Sequence, residues 1–163
     1  MSIIYRNVGK TASLVLVCLL VGLAFATDVR ADGHKNDFRN YQTEQEFTSF
    51  LDRLKKAIAA EKMGVIAEAC ADCGARSIGV TIPGNRVVMI FHPRFAVRML
   101  KASLEAGYEA PLRLYVTERP EGAHLSFRMA SDVFAPYASS GDLVAMAKEL
   151  DEILLRIADQ VTR

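Results

Sequence analysis

The chain is poor in the residues that most often carry chemistry. It has three Cys, three His and no Trp in 163 residues. It also lacks an excess of either charge, with 20 Lys and Arg against 19 Asp and Glu. Without a basic stripe to neutralise a run of phosphates, nucleic acid is not an expected partner. No G-x-S-x-G, paired-carboxylate or phosphate-loop pattern occurs, so the sequence offers no motif for acyl transfer or nucleotide hydrolysis. Internal repeats and low-complexity tracts are absent as well.

A long hydrophobic run is missing too, and the one short run stands at the amino terminus. Arg6 and Lys10 precede 17 uncharged residues, Thr11 to Thr27, whereas a membrane span needs about 20 apolar residues. A basic start, a short apolar core and small residues at a cleavage point describe a secretory signal. Residues 1–31 are therefore expected to be a signal peptide, cut after Ala31, with Ala26 as the competing position and an uncleaved anchor as the bland alternative. The mature protein is then expected in the periplasm or secreted, with no membrane attachment. Removal of residues 1–31 takes Arg6, Lys10 and Arg30 from the basic residues and Asp28 from the acidic ones, leaving a formal charge of −1. Cys18 leaves with the signal, so Cys70 and Cys73 remain as an isolated pair in an oxidising compartment.

The mature chain has the length of one domain. Residues 32–42, "DGHKNDFRNYQ", are polar and read as a flexible lead, and residues 43–163 as a single α+β domain. A first helix is expected from Thr43, with Thr43 and Glu46 as a capping box and Gly64 as its end. Its inward stripe is Phe47, Phe50, Leu51, Leu54 and Ile58. "VIAEA" and "RVVMIF" read as strands, with "SIGVTI" leading to the second through Pro83-Gly84-Asn85. His92-Pro93 then starts a helix with Phe95, Ala96, Met99, Leu100 and Leu104 inward and Gly107 at its end. "PLRLYVTE" and "AHLSFRM" alternate as a hairpin with one apolar and one polar face. A last helix from about Asp142 to Val161 carries Leu143, Met146, Leu150, Ile153, Leu154, Ile157 and Val161. The expected order is α-β-β-α-β-β-α, an α+β fold with a mostly antiparallel sheet and helices on one face.

The stretch "FLDRLKKAIAAEKMGVIAEACADCGARSIGVTIPGNRVVMIFHPRFAVRML", followed by "APLRLYVTE", resembles the bacterial domain-of-unknown-function 302 family. The shared features are an amphipathic helix ending in a glycine, a "GARSIG" segment before a strand ending in "IF", and an "APL" strand start. The resemblance covers about residues 43–161 and implies a small α+β domain that tends to form homodimers. It implies no reaction and carries over no functional residue. Where many members have Asp-His before the "GA" segment this chain has Cys70-Ala71, and His92-Pro93 replaces a Gly-Asn-Pro.

The candidate residues are few. Cys70 and Cys73 have Gly74 where a c-type haem site needs histidine, and one pair supplies only half of a structural zinc site. On a turn of helix their Cα atoms would stand about 5–6 Å apart, within disulfide range. Arg76 favours a thiolate there and Asp72 opposes it. A structural disulfide, a redox-active pair and a metal-ligand pair all remain open. Cleavage after Ala31 would expose Asp32-Gly33-His34, whose amine, backbone nitrogens and imidazole form a square-planar set suited to copper(II) or nickel(II). His92 is expected to serve as a helix-start residue. Arg113, Tyr115, His124 and Arg128 share the polar face of the hairpin, which suits a small anion or a partner subunit. Met99, Met129 and Met146 fall on core stripes. The sequence thus points to an exported module that binds a small ligand or metal through the CxxC pair. The alternatives are a thiol–disulfide redox partner and a purely structural or interaction domain.

Overall fold

A one-sided apolar pattern demands a layer to cover it, and three of the strands here carry a buried face for the same helical layer. In the computed structural model, which describes residues 38–138 and 140–163, the described residues form five strands. These are β1 (Phe38–Gln42), β2 (Gly64–Cys70), β3 (Asn85–Phe91), β4 (Leu112–Arg119) and β5 (Gly122–Arg128). They make one sheet in the order β1-β5-β4-β3-β2, antiparallel at every pairing. Leu112, Leu114 and Val116 of β4, Ala123, Leu125 and Phe127 of β5, and Val88 and Ile90 of β3 are buried on one face. Among the described residues no second layer covers the other face, as the alternation of the hairpin indicated.

Helix α1 (Phe47–Ala60) and helix α5 (Gly141–Thr162) bring their stripes to this face. Phe50, Leu54 and Ile58 from α1 and Leu143, Met146, Leu154 and Ile157 from α5 are among the most completely buried side chains. Helix α3 (Pro93–Ala102) starts with His92 as its cap, whose Nδ1 accepts from Arg94 N at 3.0 Å, and with Pro93 in the first turn. Arg94 and Arg98 both bind Glu149 of α5 and lie 4.9 and 5.6 Å from the Phe95 ring centroid. The bond from Arg98 holds the Glu149 carboxyl below its ordinary pKa. Among the described residues no helix is long and apolar enough to cross a membrane.

The order of elements corrects the expectation. It runs β-α-β-α-β-α-β-β-α-α, not α-β-β-α-β-β-α. Strand β1 comes from "FRNYQ", within the segment read as a polar lead, and pairs with β5 from Phe38↔Arg128 to Gln42↔His124. Its polar composition hides it, because an edge strand held by backbone hydrogen bonds needs little apolar alternation. Of two short helices, α2 (Ala71–Ser77) is the turn of helix considered for the cysteines, and α4 (Ala130–Phe134) fills a stretch read as irregular chain. Along "SIGVTI", which leads to β3, α2 takes up Ser77 and Gly79 turns the chain with φ +77°.

Three boundaries also move. Helix α1 starts at Phe47, because Thr43 donates its hydroxyl proton to Ala123 O at 3.0 Å instead of capping. Glu46 caps alone, accepting from Thr48 N and Ser49 N at 2.8 and 2.7 Å. The left-handed residue after α1 is Lys62, φ 59°, and Gly64 opens β2. Leu100, within α3 but off the buried stripe of Phe95 and Met99, and Leu104, beyond the helix end at Ala102, are both exposed. Gly122, φ +130°, brings the hairpin against Thr43 and Glu44 so closely that a Cβ would collide with their backbone. Thr43 N and Ala123 N both donate across that junction, to Ala123 O and Gln45 O.

The Glu46 cap predicts an acid-dependent term in stability. Its two backbone bonds lower its pKa from 4.5 to about 2, so the cap stabilises above the unfolded value and fades as pH falls toward 2. The stability difference between wild type and Glu46→Gln, from urea unfolding, is expected to be constant above pH 5 and to vanish near pH 2.

Candidate functional site

The site begins where β2 ends. Cys70 is both the last residue of β2 and the cap of α2, so one turn of helix brings Cys73 back beside it. Their Cα atoms are 5.2 Å apart and the two sulfurs form a disulfide. Cys70 is half-buried and Cys73 exposed. Cys70 Sγ accepts a hydrogen bond from Cys73 N at 3.0 Å, and Cys73 Sγ accepts one from Arg76 Nη2 at 3.4 Å.

Asp72 turns inward between the two cysteines and is 4% exposed. Its carboxylate accepts from Arg76 Nη1 at 2.8 Å and from Asn85 N at 3.1 Å, and it contacts the Arg86 guanidinium. Arg86 also binds Glu68 at 2.9 Å and lies 5.5 Å from the Phe47 ring centroid. Lys55 of α1 closes the chain of charges on Glu68 at 2.7 Å. A polar groove of about 370 Å³ runs along these residues, lined by Lys55, Glu68, Asp72, Arg76, Arg86 and Glu118.

Cys70, Asp72 and Cys73 offer three ligand atoms within 4.8 Å of one another, so the cluster could hold a metal ion. It would do so only with the disulfide reduced and Asp72 released from its cations. Nothing in this donor set selects copper.

The antiparallel register settles the position of His92. Cys70 pairs with Arg86 and Gly64 with Phe91, which places His92 at the far end of β2 from the cysteines. A site formed by Cys70, Cys73 and His92 within one chain is excluded. Asp32, Gly33 and His34, together with Cys18 and the expected signal at 1–31, lie outside the described residues. On the open sheet face Arg113, Tyr115 and Arg128 line one depression with Ser126. His124 is not among them: it sits opposite Thr117, two positions along β5 from Ser126. Its buried Nε2 lies 3.1 Å from Glu121 Oε1 without hydrogen-bond geometry.

Sequence reasoning missed Glu68, Asn85 and Arg86. Nothing local marks them, since Arg86 meets Asp72 only through the pairing of β2 with β3. Asp72 was legible as a charge beside the cysteines, but its neutralisation by two arginines was not.

Burial separates the two ion pairs, Arg86 with Asp72 and Lys55 with Glu68. Arg86→Met leaves the buried Asp72 short of a cation and is expected to cost about 3 kcal/mol in urea unfolding. Lys55→Met, at an exposed pair, is expected to cost less than about 1 kcal/mol.

The family described as "Domain of unknown function DUF302" matches residues 39–161. Among solved structures, the fold is similar to the crystal structure of an uncharacterized conserved protein DUF302 from Bacillus stearothermophilus. The TM-score is 0.69 at 16% identity, over 78% of this chain and 99% of that one. At that identity the likeness shows the fold alone. No curated protein matches the chain.

Proposed function

The chain belongs to the DUF302 family, and from that premise we propose that it is a thiol–disulfide redox partner working through Cys70 and Cys73. The observation that carries this reading is that each sulfur already has a donor suited to its thiolate: the Cys73 N–H for Cys70, and Arg76 for Cys73. The charge of Asp72, which would oppose both thiolates, is taken up by Arg76 and Arg86. A disulfide that closes so short a loop removes little unfolded-state entropy, which makes a purely structural purpose the weaker account.

In the forward direction a thiolate of the reducing partner attacks the exposed Cys73 Sγ. The Cys70–Cys73 bond breaks, and Cys70 leaves as a thiolate that accepts from the Cys73 N–H. A second thiolate of the partner attacks the partner sulfur of the mixed disulfide, and Cys73 leaves beside Arg76. Two electrons pass from the partner dithiol to the protein pair, the partner gains a disulfide, and the partner's two thiol protons go to solvent. The protein is a redox partner in this reading, without a substrate activation step of its own.

The reading also calls for an oxidising compartment, periplasmic or extracellular, which agrees with the signal-like amino terminus. The homodimer implied by the family resemblance belongs to the same proposal. Metal binding is the second reading, carried by the Cys70, Asp72 and Cys73 cluster, and it applies to the reduced protein.

Equilibration in defined thiol–disulfide buffers, followed by alkylation and mass measurement, tests the proposal. The potential is expected above about −300 mV, and Arg76→Gln is expected to lower it, because the reduced form loses a cation. A potential below about −300 mV would mark the bond as a structural staple and end the redox reading. Zinc titration of the reduced protein reports on the second reading independently.

A further inference from the structure

The open face of the sheet carries a second site, away from the cysteines. Antiparallel pairing of β4 with β5 places Leu114 opposite Phe127 and Tyr115 opposite Ser126. One position further along the same register, Arg113 and Arg128 come side by side. Like charges on neighbouring strands repel, and the described residues relieve this pair only in part. Arg113 has Glu109 at 3.7 Å, and Arg128 donates to the Asp132 backbone carbonyl at 3.5 Å. Two guanidiniums and one carboxylate leave about one positive charge at this position.

The next row supplies a hydroxyl donor. Tyr115 Oη accepts from Asn85 Nδ2 at 2.7 Å, which leaves its own proton free to donate. Ser126 Oγ donates to Asn40 Oδ1 at 2.7 Å, so it shapes the floor without supplying a second donor. Phe38, Val87, Leu112 and Val133 form apolar walls around the arginines, and the depression measures about 380 Å³. A few convergent polar groups inside apolar walls of this volume describe a small-molecule site.

We infer that this depression binds a small organic carboxylate, its carboxyl held by Arg113 and Arg128 and its apolar body laid on Phe38 and Val87. The arginine fork matches a planar carboxylate bidentately, and the residual charge suits a single negative group. Inorganic phosphate shares the anionic part of this recognition but has no apolar body to bury. The site does not depend on the redox reading. Val87 and Tyr115 stand opposite each other on the open face, while Asp72 and Arg86 pack toward Phe47 on the helical side.

The test uses the full chain, isotopically labelled, with benzoate as the probe and amide NMR shifts as the readout. Benzyl alcohol keeps the ring and removes the charge, and inorganic phosphate keeps a charge and removes the ring. Benzoate is expected to produce saturable shifts at Val87, Tyr115 and Ser126, with both controls binding at least tenfold more weakly. Arg113→Gln with Arg128→Gln is expected to weaken benzoate at least tenfold in a spectrum that remains folded. Tyr115→Phe, which keeps both charges, is expected to weaken it about threefold and serves if the double variant fails to fold. Non-saturating benzoate shifts, equal binding of benzyl alcohol, or an unaltered affinity in the variants would overturn the inference. So would a dimer that covers this face, seen as loss of benzoate binding at rising protein concentration. The disulfide potential of the Arg113→Gln, Arg128→Gln protein is expected to match wild type, which keeps this result separable from the redox proposal.

Discussion

A carboxylate withdrawn from water costs several kilocalories per mole unless cations and N–H groups replace the lost solvent. Asp72 is the one buried charged side chain among the described residues, and the candidate site is arranged around satisfying it. Arg76 reaches it from the same short helix, Arg86 from the neighbouring strand, and Asn85 N from the start of that strand. The last two contacts tie α2 to β3, and the first braces α2 itself, so together they fix the turn that carries Cys70 and Cys73. They also change the electrostatics of the sulfurs. A negative group beside a cysteine raises its pKa, but a negative group already shared by two arginines does so weakly.

The sheet separates two chemistries. Its helical side holds the apolar core and, at the end of β2, the charge network of Asp72, Arg86, Glu68 and Lys55. Its open side holds the arginine pair and the hydroxyl row. Side chains alternate across a strand with period two, so consecutive residues such as Arg86 and Val87 serve different sites. The cysteine turn and the anion depression can therefore vary independently on one scaffold.

How much of this was readable in the residues depends on which periodicities report burial. The stripes of α1 and α5 and the alternation of β4 and β5 were legible, because each element is buried on one side only and its apolar spacing records that side. The disulfide distance followed from helical geometry. Strand β1 was hidden because Phe38–Gln42 contributes backbone pairing more than apolar area, and an exposed edge leaves its composition polar. Thr43 looked like a helix cap because the capping box is a local pattern, whereas its hydroxyl is used eighty residues away at Ala123.

The sequence by itself determined the α+β class, the one-sided sheet, the long flanking helices and the cysteine turn. All of these follow from short-range spacing, which a linear chain displays openly. Only the tertiary structure decided that β2 and β3 run antiparallel, that His92 lies far from Cys70, that Arg86 neutralises Asp72 and that Arg113 stands beside Arg128. Each of those facts rests on strand register, and register is set by the sum of backbone pairings and core packing between segments distant in sequence.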